Sequence, residues 1–157
     1  MSDPSLIVPA LGGLYRTLEP WAELLLRVVV GLALVPHALR NSFGFFPNTG
    51  QPLRNTRMLV EYLDKQGYRP GWFFAPANSA VQFICGPLIA LGLFTRLAAL
   101  PVVLFLLVSN VERCRVGRYF WNQLGLEYTL MWTVAAFYIL VHGGGLYSLD
   151  HLLGREF

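Results

Sequence analysis

The sequence predicts an all-α integral membrane protein: an antiparallel four-helix transmembrane bundle with a short amphipathic interfacial helix in the first loop. Composition is the first reason. Of 157 residues, 55% are hydrophobic and 13% are charged, whereas roughly 25% are charged in a soluble domain. The mean hydropathy is +0.49, and a soluble chain this short would need more polar side chains to cover its surface. An aromatic content of 14% also excludes a disordered chain.

The second reason is the presence of four apolar segments, each close to the roughly 17–25 residues that cross a hydrocarbon core as a helix. They cover residues 21–40, 76–94, 97–112 and 126–142. A spanning segment must satisfy its backbone polar groups internally, so helices are the expected structure. We expect a single membrane domain over residues 1–157.

The connections between these segments fix how the helices are arranged. Only residues 95–96 separate the second and third segments, which forces an antiparallel hairpin. The stretch between the first and second segments is too long for a structureless loop in a compact protein. In its middle, residues 56–66 place Leu59 and Leu63 on one side and stop at Gly67, a pattern typical of an amphipathic helix on the membrane surface.

Polar residues from all four predicted helices gather at one end of the bundle, because successive helices alternate in direction. That end receives His37, Arg40, Asn78, Gln82, Asn110, Glu112, Asn122 and Glu127. Polar groups in a membrane are costly and usually face the bundle interior or a wet cavity. We therefore expect a ligand pocket that opens at this interface, formed by His37, Arg40, Asn78, Gln82, Asn110 and Glu127. The opposite end receives few polar groups.

Three polar positions in the predicted helices have competing interpretations. Arg27 lies about one-third along the first helix, and Glu23 is four residues earlier on the same face, so a buried Glu23–Arg27 ion pair is favoured. Glu127 is placed to pair with either Arg27 or Arg40. For His37, a role in ligand binding or proton handling is weighed equally against a satisfied interfacial histidine.

The sequence predicts no metal site, no disulfide framework and no nucleic-acid partner. The histidines His37, His142 and His151 are not at metal-ligand spacing, and Cys85 and Cys114 do not form a CxxC pair. The basic excess comes almost wholly from arginines that flank apolar segments. That distribution favours membrane orientation and contact with anionic lipid headgroups.

The loops at the polar end hold most of the basic residues and many aromatic ones. The basic residues are Arg40, Arg54, Arg57, Lys65, Arg69, Arg113, Arg115 and Arg118, against Arg16, Arg96 and Arg155 at the other end. The positive-inside rule therefore places the polar end in the cytoplasm. The aromatic residues are either anchors at the headgroup interface or a stacking surface for a ligand.

Four segments that cover most of the chain form a jointly specific pattern. They are LLLRVVVGLALVPHALRNSFG at 24–44, GPLIALGLFTRLAAL at 86–100, LGLEYTLMWTVAAF at 124–137 and GGGLYSLDHLL at 143–153. This pattern resembles the DoxX family of small four-helix membrane proteins. The family usually has a glycine and then a lysine after the histidine, where this chain has Ala38 and Arg40. It often has a glutamate in the second helix, where this chain has Gln82.

The resemblance implies a role in membrane redox chemistry. Family members are similar to the small subunit of a thiosulfate:quinone oxidoreductase, and others are accessory membrane proteins in oxidative stress complexes. It implies Arg27, His37, Arg40 and Glu127 as functional positions. The expected pocket agrees, because a quinone headgroup needs hydrogen-bond donors at the interface, and its apolar tail can lie along the helices.

We therefore hypothesise a small subunit or accessory of a membrane redox system in the bacterial cytoplasmic membrane. Its ligand would be a quinone or a similar amphipathic molecule, with no covalently bound cofactor. The sequence contains no electron-carrier motif, so a partner protein would supply the electrons. The alternative is a non-enzymatic assembly subunit whose polar residues hold the bundle together. A small transporter or proton pathway ranks third, because few polar residues occupy the other membrane half.

Overall fold

The computed structural model describes residues 7–46, 53 and 55–155, and every regular element in these residues is helical. The helices are α1 (Gly12–Phe43), α2 (Thr56–Lys65), α3 (Gly71–Ala80), α4 (Gly86–Leu91), α5 (Thr95–Val116), α6 (Leu126–His142) and α7 (Leu149–Leu152). A π-helical turn joins α3 to α4, so the two form one span. The predicted all-α membrane fold is confirmed.

Several of these helices have the length and composition of membrane spans. Those long and apolar enough to cross a membrane are Pro9–Phe43, Gly71–Leu91 and Thr95–Val116. The fourth member of the bundle, α6, is a shorter apolar helix of 17 residues.

The first helix is longer than predicted. It begins at Gly12 and ends at Phe43, rather than covering residues 21–40. Pro20 and Pro36 both stand inside it. Each proline removes one backbone hydrogen bond, and the helix continues through both positions.

The other helices lie where the sequence places them, with shifted ends. The segments expected at 56–66, 76–94, 97–112 and 126–142 are observed as Thr56–Lys65, Gly71–Leu91, Thr95–Val116 and Leu126–His142. Between α4 and α5, Gly92 and Phe94 adopt positive φ angles of 69° and 49°. This tight turn produces the expected antiparallel hairpin.

The interfacial helix α2 is fixed to the start of α3. Asp64 Oδ1 accepts a hydrogen bond from the Gly71 backbone nitrogen at 2.8 Å, which satisfies a free N–H at the start of α3. Leu59 of α2 and Ala75 of α3 are buried in the same small hydrophobic cluster. Arg54, one of the basic residues counted in this loop, lies outside the described residues.

The main core forms where α1, α4, α5 and α6 face one another. Its buried members are Val30, Leu34, Ile89, Ala98, Ala99, Val102, Val103, Leu106, Ala136 and Ile139. At its centre α1 and α4 approach closely through Gly31 and Gly86. A Cβ on Gly31 would collide with the Gly86 carbonyl oxygen, and one on Gly86 would lie 2.7 Å from the Gly31 carbonyl oxygen. Such close backbone contact supplies packing energy between helices in a membrane.

The π-helical turn at Val81–Cys85 was not predicted. Pro87 stands at the start of α4 and has no backbone N–H, so it cannot donate to the carbonyl of Phe83 four residues earlier. A wider turn accommodates this lost bond. The turn carries Gln82, and π-helical turns of this kind occur frequently at functional sites.

We expect Gly31→Ala to lower the free energy of unfolding by about 1–3 kcal/mol, because the added methyl group overpacks the contact with α4. The measurement is unfolding of the detergent-solubilised protein by heat or SDS. Gly13→Ala in the same helix is the matched control, since its Cβ meets no atom within 4 Å. The control should be neutral or slightly stabilising. Equal effects of the two substitutions would contradict the proposed close contact.

Candidate functional site

A cavity of about 390 Å³ lies at the end of the bundle where α1 and α5 finish and α3 and α6 begin. Residues of α2 close one side of it. Its wall is mainly apolar, with polar side chains from His37, Arg40, Asn41, Asn78, Gln82, Ser109, Glu112, Arg113 and Thr129. Ligand pockets usually measure about 300–1,000 Å³ and combine an apolar wall with a few polar groups. The cavity has the size and lining of such a pocket.

Several of the residues predicted for the pocket line this cavity together. They are His37, Arg40, Asn78 and Gln82. The first pair comes from the last turns of α1, and the second comes from α3 and the π-helical turn. The structure therefore brings these side chains of two different helices to one space.

Two other predicted pocket residues, Asn110 and Glu127, are not among the lining residues. Asn110 is buried between α5 and α6, where its Nδ2 donates to Thr133 Oγ1 at 2.9 Å. The Glu127 carboxylate accepts a hydrogen bond from the Trp121 backbone nitrogen at 3.1 Å. That contact replaces the predicted pairing of Glu127 with Arg27 or Arg40, because the turn before α6 folds back over the start of this helix.

Gln82 and His37 have hydrogen-bonding atoms without a partner among the described residues. Gln82 is 2% exposed, and its Nε2 donates to Asn78 Oδ1 at 3.1 Å. The Gln82 Oε1 atom is buried and has no hydrogen bond. His37 is half-buried, and no hydrogen bond to its imidazole occurs within the part of the chain that the structure describes. Both side chains are therefore available to a bound molecule.

The cavity also carries positive charge. Arg40 donates from both Nε and Nη2 to Asn41 Oδ1, each at 3.2 Å, and this contact orients the guanidinium at the end of α1. Arg113 donates from Nη1 to the Leu124 carbonyl oxygen at 2.9 Å. Two guanidinium groups at one cavity favour a ligand with oxygen acceptors or negative charge.

Glu112, the acidic residue in the cavity wall, is already bonded. Its Oε1 accepts from Tyr68 Oη at 2.6 Å and from Arg115 Nη1 at 2.8 Å. Burial, with the hydrogen bond and charge of Glu112, raises the pKa of Tyr68 above its ordinary value. The phenol stays a donor near neutral pH, so this hydrogen bond ties the loop after α2 to α5.

Asn41, Tyr68 and Arg113 are cavity residues that were not predicted from the sequence. Asn41 follows His37 by four residues and so shares its helical face, a signal that was missed because the predicted span stopped at residue 40. Tyr68 and Arg113 lie in or beside loops, and their positions depend on tertiary contacts. No local pattern in the sequence indicates them.

Arg27 lies at the opposite end of the bundle and is 2% exposed. Its Nη2 donates to the Tyr147 carbonyl oxygen at 2.6 Å, and its Nη1 donates to that of Ile89 at 3.2 Å. Glu23, its predicted partner, instead pairs with His142 Nε2 at 3.0 Å. The predicted direct Glu23–Arg27 pair is replaced by separate contacts, because carbonyl oxygens at the end of α4 and in the segment after α6 lie within hydrogen-bond distance of the Arg27 guanidinium.

Asp150 is a second buried charge at this opposite end, 3% exposed. Its carboxylate accepts from the backbone nitrogens of Phe94 at 2.7 Å and Thr95 at 2.8 Å, and from Thr95 Oγ1 at 2.6 Å. Its own backbone nitrogen donates to the Gly92 carbonyl oxygen at 2.8 Å. The expectation that this end holds few polar groups is therefore wrong. Residues 143–153 fold back against the α4–α5 turn and bring polar groups with them.

The cysteines and metal-binding residue types form no site of their own in the described part of the chain. Cys85 is half-buried and Cys114 is exposed, and neither is in a disulfide. Within residues 7–46, 53 and 55–155, no three His, Cys, Asp or Glu side chains are grouped as a metal ion would require.

Comparison with known proteins identifies the family to which the chain is similar. A family model described as DoxX matches residues 22–111. The uncharacterized membrane protein Rv3486 of Mycobacterium tuberculosis is 25% identical over 147 residues, which make up 87% of this chain and 84% of that protein. No solved structure matches the chain significantly. The family match includes the cavity residues His37, Arg40 and Gln82.

We expect Asp150→Asn to lower the free energy of unfolding by about 2 kcal/mol or more, because an amide nitrogen would replace one of the oxygens that accept from α5. Glu61→Gln is the matched control. Glu61 pairs with Arg57 at 3.4 Å on an exposed surface, so its loss should change stability by less than about 0.5 kcal/mol. Unfolding of the solubilised protein measures both. Similar losses in the two variants would contradict a structural role for Asp150.

Proposed function

This chain belongs to the DoxX family of membrane proteins, and we propose that it is a quinone- or quinol-interacting small subunit or accessory of a membrane redox system. The observation that carries the proposal is the cavity, which joins an apolar wall to the side chains of His37, Arg40 and Gln82. Polar groups in a bilayer usually serve packing, ligands or ion pathways. Here two of these side chains have hydrogen-bonding atoms that no described residue satisfies.

The cavity residues fit a quinone headgroup. The guanidinium of Arg40 is a permanent hydrogen-bond donor for a carbonyl oxygen, and protonated nitrogens of His37 can serve likewise. Aromatic side chains of Phe105 and Trp132 in the wall offer flat surfaces for the ring. Apolar residues such as Leu34 continue the wall towards the core, where an isoprenoid tail would find hydrocarbon surroundings.

The residues of the chain would bind the headgroup, orient it and hold a proton. When bound, a quinone supplies two-electron chemistry that the protein side chains do not. The imidazole of His37 can donate or accept a hydrogen bond and can hold a proton, which suits a ligand whose reduction involves protons. The lining side chains contribute hydrogen bonds and charge, so the reducing equivalents are proposed to come from a partner protein in the membrane.

Loss of either donor should weaken ligand binding. We expect His37→Ala and Arg40→Ala each to reduce the bound quinone, or the affinity for an added short-chain quinone, by about tenfold. The measurement is solvent extraction of the purified protein followed by chromatography, and titration in detergent. His151→Ala and Arg57→Ala are matched controls, because both residues are exposed and neither lines the cavity.

The outcomes separate the proposal from its alternative. Quinone retained equally by the two cavity variants would contradict the ligand site. Failure of the wild-type protein to bind any quinone, together with lower stability of both cavity variants, would favour a non-enzymatic assembly subunit whose polar residues hold the bundle together.

We propose that the protein lies in the bacterial cytoplasmic membrane with the cavity end towards the cytoplasm. Basic residues support this orientation under the positive-inside rule. Those described at the cavity end are Arg40, Arg57, Lys65, Arg69, Arg113, Arg115 and Arg118, against Arg16, Arg96 and Arg155 at the other.

The native Cys114 tests this orientation, because it is exposed near the cavity end of α5. We expect a membrane-impermeant maleimide to label it in inside-out vesicles and to leave it unmodified in intact spheroplasts. Cys114→Ser is the control, since the remaining Cys85 is half-buried within the bundle. Labelling in spheroplasts would reverse the orientation.

A further inference from the structure

The cavity wall contains a buried hydrogen-bond acceptor, the Oε1 atom of Gln82, that bears on which ligands the cavity binds. Gln82 is 2% exposed, lines the cavity and leaves this carbonyl oxygen without a partner. Other buried oxygens without a partner, Ser79 Oγ and Asn110 Oδ1, belong to residues that do not line the cavity. Buried polar atoms are nearly always hydrogen-bonded, so this one exception among the described residues of the cavity wall indicates a missing donor.

The orientation of the Gln82 amide follows from its neighbour. Its Nε2 donates to Asn78 Oδ1 at 3.1 Å, one helical turn nearer the membrane surface. Rotating the amide by half a turn would place Oε1 against that acceptor oxygen, which is repulsive unless Asn78 rotates as well. With this anchor in place, Oε1 is the free atom, and it can only accept a hydrogen bond.

Quinones and hydroquinones differ in what they offer to such an atom. The ring oxygens of a quinone are acceptors only, whereas the hydroxyl groups of a hydroquinone both donate and accept. A quinone carbonyl beside Gln82 Oε1 would leave two facing acceptors unpaired, and a hydroxyl would satisfy the buried oxygen. Arg40 is a donor to either form, so it does not distinguish them.

We infer that the cavity binds the reduced, hydroxyl-bearing form of its ring ligand in preference to the quinone form, with Gln82 Oε1 accepting the ligand hydroxyl. This inference rests on the proposed function and specifies which ligand form the same site selects. Gln82 acts here as a specificity-determining residue through binding alone. A tenfold preference for the reduced form would raise the midpoint potential of the bound two-electron couple by about 30 mV.

The test compares three short-chain ligands under anaerobic conditions with the purified full-length protein: a benzohydroquinone, its benzoquinone and its dimethyl ether. The ether keeps the reduced ring but has no hydroxyl hydrogen to donate. We expect the hydroquinone to bind about tenfold more tightly than either of the others, the value of one buried hydrogen bond. Quenching of tryptophan fluorescence gives the affinities, since Trp132 lies in the cavity wall.

The variant Gln82→Met removes the acceptor and keeps an unbranched side chain of similar length. It should bind the three ligands with equal affinity. Gln123→Met is the matched control, because Gln123 is exposed in the turn before α6, and it should keep the wild-type preference. The comparison of hydroquinone with its ether uses the wild-type protein, so it stands even if the Gln82 variant does not fold.

Each result decides a separate question. Equal binding of all three ligands to the wild-type protein would overturn the preference for the reduced form and leave the ligand site intact. A preference that survives in Gln82→Met would overturn the role of Gln82. Failure of every ligand to bind would overturn the proposed function itself.

Discussion

The architecture depends on how the membrane-buried guanidinium of Arg27 is bonded. A cation inside a bilayer is tolerated where the protein supplies partners for most of its donors. Here the partners are the backbone carbonyls of Ile89, at the end of α4, and of Tyr147, in the segment after α6. Three parts of the chain that are distant in sequence therefore meet at one side chain. Asp150 accepts hydrogen bonds from the start of α5, so the segment after α6 is also bonded to the α4–α5 turn at this end of the bundle.

The two ends of the bundle differ in how their polar side chains are hydrogen-bonded. At the Arg27 end, Arg27 and Asp150 bond mainly to backbone groups of distant segments, and Arg27 Nε is buried without a partner among the described residues. At the cavity end, His37 and Gln82 retain atoms that no described protein group satisfies. Because an unsatisfied buried polar atom is unfavourable, the second arrangement is understandable where a ligand completes the bonding. Because the cavity lies beside Gln82 and His37, this difference supports the proposal that a ligand binds at the cavity end.

Much of the fold could be predicted from the sequence, because the hydropathy of the segments and the short 95–96 connection leave few arrangements. The gathering of His37, Arg40 and Gln82 at one end followed from alternating helix direction alone. The rotation of each helix about its axis does not follow from such arguments. For that reason Asn110 was placed in the pocket, although the structure turns it towards α6.

The bonding at the other end was beyond sequence reasoning for a different reason. Helical periodicity puts Glu23 and Arg27 on one face, and it carries no information on competing partners elsewhere in the chain. Arg27 is bound by backbone carbonyl groups, and the residue types in a sequence do not indicate which carbonyl groups will be accessible. The position of Gln82 also depends on the π-helical turn at Val81–Cys85, which accommodates the missing backbone donor of Pro87. The backbone restriction of one proline thus helps to place Gln82 in the cavity wall.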